Sequence, residues 1–283
     1  MTTLNRALTA NFLTSLLFGI ILIFFQAQVA QLFGVTPHVV FPIIGAGLLL
    51  FALSIAIEIK KQRPLAIFWI SAQDALWVIT SAVVLVWQPW PISAAGYWII
   101  DGVAMLVLLF CVLQIKGLAQ INTRNGAKIL TFKRVINAPQ ARVWEIITQF
   151  EEFHLVAPNI DAVEILSDQT QGTGMIRACS HGSKSWQETC TLWDEGKKYA
   201  FEVDTQAPDY PFPFAALRGT WELYPLNEQR TEILMEFEVT YKKKIHQALL
   251  HPIAQWQHRK TGETLLNNWQ KMAEETEQLK VLK

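Results

Sequence analysis

The sequence predicts four α-helical membrane spans followed by one α+β domain, in which an antiparallel sheet packs against a long C-terminal helix. Three observations predict this architecture. Charged residues are scarce before residue 117, the apolar runs there are long enough to cross a bilayer, and short segments of alternating apolar and polar residues begin at residue 129. We expect a membrane domain at 1–116, a linker at 117–128 and a soluble domain at 129–283.

The charge distribution divides the chain more sharply than its overall composition does. The whole chain is 51% hydrophobic and 17% charged, with a formal net charge of zero. Only 8 of the 48 charged residues precede residue 117, namely Arg6, Glu58, Lys60, Lys61, Arg63, Asp74, Asp101 and Lys116. The remainder has the charge content of an ordinary globular domain. It contains no long basic tract, which argues against a nucleic-acid partner.

The four predicted spans occupy residues 8–28, 39–59, 65–87 and 94–115. Each reaches the roughly 20 apolar residues that a hydrocarbon layer about 30 Å thick requires. The first has no convincing small-residue cleavage site, so we interpret it as a retained span rather than a secretion signal.

The lysines and arginines between the spans predict their orientation. They precede the first span, separate the second from the third and follow the fourth, whereas the connections at 34–38 and 88–93 contain none. Because positively charged loops stay in the cytoplasm, both termini and the soluble domain are predicted to be cytoplasmic.

Two acidic residues lie within the spans, Asp74 in the third and Asp101 in the fourth. Their depths differ by only about 6 Å if both helices rise 1.5 Å per residue, so the two side chains could face each other. One interpretation is a proton-carrying or cation-binding pair. The other is hydrogen bonding between helices, with partners such as Ser71, Gln73 or Thr80.

The soluble part alternates short strands with turn signals. Strands are predicted at 129–137, 162–167, 174–181, 185–194, 197–205, 216–225 and 231–241. A helix at 138–150 and a shorter helical piece up to residue 158 follow the first strand. The last helix presents an apolar face made by Leu265, Trp269, Met272 and Leu279, which we expect to cover the sheet.

This element order, together with three sequence segments, resembles the START-like superfamily, also called SRPBCC or polyketide cyclase/dehydrase-like. The segments are VINAPQARVWEIITQFEEFHLVAPNI, GTGMIRAC followed by WQETCTLWDEGKKYAFEV, and RGTWELYPL followed by RTEILMEFEVTY. The likeness covers about residues 129–275. It implies a helix-grip fold with a deep cavity between sheet and final helix that takes lipids, quinones, polyketides or similar molecules. The membrane part is similar to a small bacterial four-span family of unknown role, which implies an inner-membrane location.

The strands at 174–181 and 185–194 supply the main candidates for lining the cavity. A turn at residues 183 and 184 would place Arg177 and Glu188 diagonally across the two strands. The functional interpretation is a charged pair in an apolar cavity that holds a ligand carbonyl or carboxylate. The alternative is an ion pair on the wetted face. The full set of cavity candidates is Arg177, Cys179, Trp186, Glu188, Cys190, Phe201 and Trp221.

Three other features carry weaker hypotheses. The loop at 206–216 is rich in proline and aromatic residues and is interpreted as a lid, a membrane-contacting segment or a rigid packed loop. The cluster Lys242, Lys243 and Lys244 lies at the start of the helical tail and is a candidate for contact with anionic lipid. His181 is the one conceivable acid–base group.

Together these observations favour a membrane-tethered binder of a hydrophobic small molecule. The alternatives are a cyclase or dehydratase acting on such a ligand, and a sensor or proton-coupled unit centred on Asp74 and Asp101. The three cysteines show no metal-ligand or disulfide spacing, so neither a metal nor another cofactor is expected. The expected partners are the lipid bilayer and a hydrophobic ligand.

Overall fold

The computed structural model describes residues 2–36 and 39–281, with side chains up to residue 275. It divides into two compact units, Met1–Ile121 and Asn122–Lys283. His38, in the first predicted connection, and the side chain of Leu279, in the predicted face of the last helix, lie outside what is described.

The first unit contains the four predicted apolar helices. They are α1 (Thr3–Phe24), α3 (Val40–Lys61), α4 (Pro64–Trp87) and α5 (Ala94–Leu118). All four are long and apolar enough to cross a membrane. A further short helix that was not predicted, α2 (Gln26–Phe33), follows α1 and ends at Gly34 in the left-handed conformation.

Glycines let the long apolar helices approach one another closely. A Cβ at Gly45 on α3 would lie 2.8 Å from the carbonyl oxygen of Gly19 on α1, and a Cβ at Gly117 on α5 would lie 2.6 Å from Leu4 on α1. Lipid tails are as apolar as the helix side chains, so no hydrophobic force draws helices together in a bilayer. Their association depends instead on close van der Waals packing. These glycines therefore set the distances of α1 from its two neighbours.

The second unit is an antiparallel sheet with helices packed on it. Its strands are β1 (Thr123–Arg124), β2 (Ala127–Ile136), β3 (Ala162–Ile165), β4 (Ile176–His181), β5 (Lys184–Asp194), β6 (Lys198–Val203), β7 (Phe214–Asn227) and β8 (Arg230–Tyr241). Its helices are α6 (Gln140–Ile147), α7 (Phe153–Val156), α8 (Lys244–Leu249) and α9 (His251–Val281). The strand order β1-β2-β8-β7-β6-β5-β4-β3, closed by the last helix, confirms the predicted helix-grip fold.

The segment predicted as a linker at 117–128 is largely structured. Helix α5 continues to Leu118, and β1 and β2 then form a hairpin whose turn holds Asn125 and Gly126 at positive φ. Asparagine and glycine adopt this conformation at low cost, and the pair therefore forms a tight turn. Only residues 119–122 therefore lie between the end of α5 and the start of the sheet.

The core of the second unit lies between the concave face of the sheet and α9. Leu266, Trp269 and Ala273 of α9 are almost completely buried there. Phe132, Tyr199, Trp221 and Met235 lie opposite them on the strands. This position of α9 follows from the sequence, because an apolar sheet face needs an apolar helix face to cover it.

Candidate functional site

Arg177 on β4 and Glu188 on β5 are directly opposite each other, which corrects the diagonal arrangement predicted above. The difference arises in the turn. The two turn residues are Gly182 and Ser183, with His181 opposite Lys184, so the register differs by two residues from the expected one. Gly182 has a φ of 58°, as a type II′ hairpin requires at its first central position.

The two side chains form a buried ion pair. Nε and Nη2 of Arg177 donate to the same oxygen, Oε2 of Glu188, at 2.9 and 2.7 Å. The other carboxylate oxygen accepts a hydrogen bond of 2.7 Å from Nε1 of Trp186. Arg177 is only 2% exposed, so the pair has been removed from water almost completely.

Aromatic rings enclose the guanidinium group. Its carbon atom lies 4.1 Å from the ring centroid of Phe201, 4.8 Å from that of Phe153 and 5.3 Å from that of Phe150. Cation–π attraction partly replaces the lost hydration. The cage combines a strand residue with two residues from α7 and the segment before it, so only the folded domain creates it.

Burial and the neighbouring charge act on these groups in opposite directions. Burial, the largest single effect, would lower the pKa of Arg177, but the charge and hydrogen bond of Glu188, together with Cys179 and Tyr199, raise the pKa overall. Burial also raises the pKa of the neighbouring Cys179 thiol to about 12. Thiolates are the reactive form of cysteine, so Cys179 is a packing residue at neutral pH rather than a nucleophile.

The remaining cavity candidates also lie on the concave face. Cys190, Phe201 and Trp221 are buried there, while Trp186 is half-buried. The ring of Trp221 stacks on that of Tyr199 with centroids 5.0 Å apart, and its indole Nε1 is buried without a hydrogen-bond partner among the described residues. An indole nitrogen can only donate, so Trp221 holds an unused donor inside an apolar core.

Side chains occupy the region where the family resemblance implies a deep cavity. The rings of Trp144, Phe150, Tyr199, Phe201 and Trp221 contact one another across the concave face. A cavity of about 410 Å³ lies elsewhere, lined by outward-facing residues such as Glu202, Arg218 and Glu238. Large aromatic residues therefore point into this region from both the sheet and the helices.

The proline-rich loop at 206–216 packs against one end of the concave face. Tyr210 and Phe214 are buried together with Val239 and Tyr241, and Phe212 contacts Trp186 at 5.8 Å. The hydroxyl of Tyr210 is buried, and no residue that the structure describes forms a hydrogen bond with it. Burial first, and then the charge of Glu188, raise the pKa of Tyr210. The loop therefore covers the end of the face where Trp186 and Glu188 lie.

His181 does not share the buried environment of the ion pair. Its side chain is 53% exposed, and its Nδ1 lies 3.2 Å from Oδ1 of Asp161. The structure thus brings Arg177 and Glu188 together with each other and with Trp186, but keeps His181 at the exposed end of β4.

Two buried polar residues of the second unit were missed by the sequence interpretation. Lys128, assigned there to the linker, is 1% exposed at the start of β2, and burial lowers its pKa to about 8. His251 is 3% exposed, and its Nδ1 lies 3.2 Å from the hydroxyl of Tyr241. The signal was the period-two alternation, which places Lys128 on the same strand face as Leu130 and Phe132.

Burial of His251 predicts an acid-sensitive domain. Burial, followed by the charges of Lys128 and His258, lowers its pKa from 6.5 to about 3. Between these values the unfolded chain binds a proton that the folded chain does not, so stability falls as pH decreases below 6.5. His251 should cost the unmodified protein about 2 kcal/mol of unfolding free energy when the pH is lowered from 7.5 to 5. We expect His251→Gln to abolish this part of the pH dependence.

Hydrogen exchange of the β8 and α9 amides at several pH values measures this dependence in the full chain. His154→Gln replaces a histidine whose Nδ1 contacts only the nearby carbonyl oxygen of Glu151, and it serves as the matched control. Equal pH profiles for His251→Gln and the unmodified protein would contradict the assignment.

In the first unit, Asp74 is the centre of a buried hydrogen-bond network. Its Oδ2 accepts from Nδ2 of Asn11 on α1 at 2.7 Å and from Nε2 of Gln114 on α5 at 3.0 Å. Ser15 donates to Asn11, and Ser71 donates to Gln114. The network thus joins α1, α4 and α5.

Asp101 takes no part in this network among the described residues. Of the partners suggested above, Ser71 joins through Gln114, whereas Gln73 and Thr80 donate to carbonyl groups of their own helix. The hydrogen bonds correspond to the second of the two interpretations, linkage between helices, with Asn11 and Gln114 as the direct partners.

Two replacements of Asp74 should show whether the network needs its negative charge or only its hydrogen-bond acceptor. Both amide donors converge on a single oxygen, so the carbonyl group of Asp74→Asn can still accept both, and we expect a loss below about 1 kcal/mol. Asp74→Leu leaves both donors without a partner and should destabilise the bundle by about 1–3 kcal/mol. Thermal unfolding in detergent measures the difference, with Asp101→Leu as the control. Equal stability of the Asp74→Asn and Asp74→Leu proteins would refute the role of the network.

Comparison with known proteins places the second unit in a family. Residues 136–265 match the family model described as polyketide cyclase / dehydrase and lipid transport. No curated protein matches the chain by sequence.

Solved structures are similar to the chain over about half its length. The Zhui aromatase/cyclase from a Streptomyces species is 15% identical, with 52% of this chain and 94% of that chain covered and a TM-score of 0.43. A START superfamily protein from Mycobacterium smegmatis is 14% identical, with 53% and 99% covered and a TM-score of 0.44. A Thermus thermophilus protein is 19% identical, with 52% and 98% covered and a TM-score of 0.43.

The family match and the helix-grip topology identify the second unit as a START-like domain joined to an N-terminal domain of four apolar helices. The family match supports a domain that binds hydrophobic small molecules.

Proposed function

We propose that the chain is a membrane-anchored protein that binds a hydrophobic small molecule, of lipid, quinone or polyketide type, on the concave face of its START-like domain. The anchor is the bundle formed by α1, α3, α4 and α5. The distribution of lysine and arginine supports a cytoplasmic position for the domain and both termini. A bacterial inner membrane fits this arrangement.

The observation that carries the proposal is the buried Arg177–Glu188 pair. Such a pair contributes little net stability, because desolvation of two charges offsets their attraction. Ligand sites, in contrast, are apolar surfaces with a few precisely oriented polar groups. The aromatic cage around Arg177 has this composition, and Trp186 and Tyr210 place further polar atoms beside Glu188.

The unpaired donor of Trp221 restricts the chemistry of the ligand. Its buried Nε1 requires an acceptor, so the ligand should carry a carbonyl, carboxyl or hydroxyl oxygen on an otherwise apolar body. Because aromatic rings fill the concave face, binding requires some of them to move. Trp186 and Phe212 are only half-buried and lose the least packing when displaced, which makes the covering loop the expected entrance.

The test is the retention of ligand by Trp221→Phe. The substitution removes the unused donor but also some buried area, so the two effects partly cancel and stability should change by less than about 2 kcal/mol. A ligand that accepts a hydrogen bond from Trp221 Nε1 should bind Trp221→Phe about tenfold more weakly than the unmodified protein, as expected for the loss of one buried hydrogen bond.

The full chain, purified in mild detergent, would be extracted with organic solvent and analysed by mass spectrometry, then titrated with oleate and decylubiquinone. Trp193→Phe is the matched control, because its indole donates to Glu195 at 2.6 Å and is already satisfied. Absence of any extracted or added ligand, with both variants folded, would refute the proposal.

A further inference from the structure

Helices α8 and α9 expose an apolar face that the fold leaves uncovered. Ile245, Leu249, Ile253 and Trp256 are 53%, 37%, 42% and 60% exposed. They follow one another at intervals of four, four and three residues. Leu250, which joins the two helices, also has helical backbone angles, so the four side chains lie on one side of the α8–α9 segment. The opposite face is anchored in the domain through Ala248 and His251, both buried.

Positive charge borders this apolar face at both ends. Lys242, Lys243 and Lys244 precede it, and Arg259 and Lys260 follow it, all of them exposed. No aspartate or glutamate occurs in the sequence from residue 242 to residue 262. None of the ion pairs found among the described residues includes one of these five cations.

We propose that the face formed by residues 242–260 docks on an anionic lipid bilayer, with the apolar side chains at the depth of the headgroups. Apolar residues that include a tryptophan, bordered by lysine and arginine, characterise helices that lie in the membrane interface. The charges complement anionic lipid, each basic residue near such a surface contributing about 1 kcal/mol.

The membrane anchor makes even weak docking effective. Only residues 119–122 lie between α5 and β1, so a short segment of chain tethers the domain to the four apolar helices. A tethered contact of this kind occurs at a high effective concentration, and it requires no strong affinity of its own.

The proposed docking face lies next to the core of the START-like domain. The face continues into the part of α9 that covers the concave side, where Trp269 is buried. The docking proposal does not rest on ligand binding, however. If the docking proposal failed, the ligand-binding proposal would still stand, and the reverse also holds. Docking is measured by lipid cross-links, whereas ligand binding is measured by retained ligand.

The experiment reconstitutes the full chain in phosphatidylcholine vesicles with and without phosphatidylglycerol. A phosphatidylcholine with a diazirine near the headgroup end of its acyl chain is then photoactivated, and the cross-linked residues are mapped by mass spectrometry. We expect cross-links to residues 245–256 that increase with phosphatidylglycerol and decrease with salt. Cross-links confined to the four spanning helices would overturn the proposal.

Two variants separate the apolar contribution from the charged one. Ile253→Asp combined with Trp256→Asp, and separately the triple change of Lys242, Lys243 and Lys244 to glutamate, should each reduce cross-linking of this segment about fivefold or more. Leu226→Asp, at a residue 52% exposed in the β7–β8 hairpin, is the matched control and should leave it unchanged. In a separate treatment with a bifunctional lysine-reactive reagent, cross-links that join this face to a second copy, with no lipid cross-links to the same segment, would show that a second copy covers it and would also overturn the proposal.

Discussion

Replacing Arg177 by methionine is expected to destabilise the START-like domain by about 3–5 kcal/mol. The substitution leaves the Glu188 carboxylate buried with only the hydrogen bond from Trp186. Methionine fills a similar volume, so the loss comes mainly from the uncompensated charge rather than from a cavity. The contacts of the guanidinium group with Phe150, Phe153 and Phe201 are lost at the same time.

Hydrogen exchange of the β4 and β5 amides in the full chain measures this effect, because exchange from the core of a domain reports its unfolding free energy. Arg124→Met is the matched control. Arg124 is paired with Glu236 on the sheet, but its side chain is 52% exposed, and the change should cost less than about 1 kcal/mol. Equal exchange rates in the two variants would show that the buried pair has no special role.

Removing both charges together should recover most of the loss. In a double variant with Arg177→Met and Glu188→Leu, no buried charge remains, and stability should return to within about 2 kcal/mol of the unmodified protein. Such a result would mean that folding does not require the pair. Retention of ligand by this stable variant would contradict the binding proposal, whereas its loss would support it.

The sequence predicted the elements well because their signals are local. The apolar runs of the spanning helices and the period-two alternation of β8 depend only on neighbouring residues, and the structure has helices and a strand at these positions. Helix α2 was missed because it extends the apolar run of α1 with only a short break at Phe25. The linker was overestimated because its polar residues form the β1–β2 turn.

The site was predicted less completely because it depends on distant contacts. The residues Arg177 and Glu188 were found from strand alternation, but their register depends on which residues of the hairpin form the turn. The cage around Arg177 needs Phe150 and Phe153, which lie more than twenty residues away in the sequence. Likewise Asp74 pairs with Asn11 of α1, and no pattern in the sequence specifies the rotation that brings the two together.

Replacing Trp269 by alanine should test how firmly α9 closes the concave face. Trp269 is 1% exposed and lies 6.0 Å from Phe153, whose ring in turn contacts Arg177. Loss of such a side chain from a core costs about 3–5 kcal/mol through lost burial and the cavity that remains. We expect faster hydrogen exchange of the α9 amides and, through Phe153, of the β4 amides around Arg177.

The helix contains its own control for this change. Trp256 on the same helix is 60% exposed, so Trp256→Ala in neutral detergent should alter the unfolding free energy by less than about 0.5 kcal/mol. Trp269→Phe keeps most of the buried ring and should cost less than the alanine substitution. If Trp269→Ala accelerated exchange in α9 alone, the helix would move independently of the ion pair. Acceleration in both α9 and β4 would instead show that opening of the helix exposes Arg177.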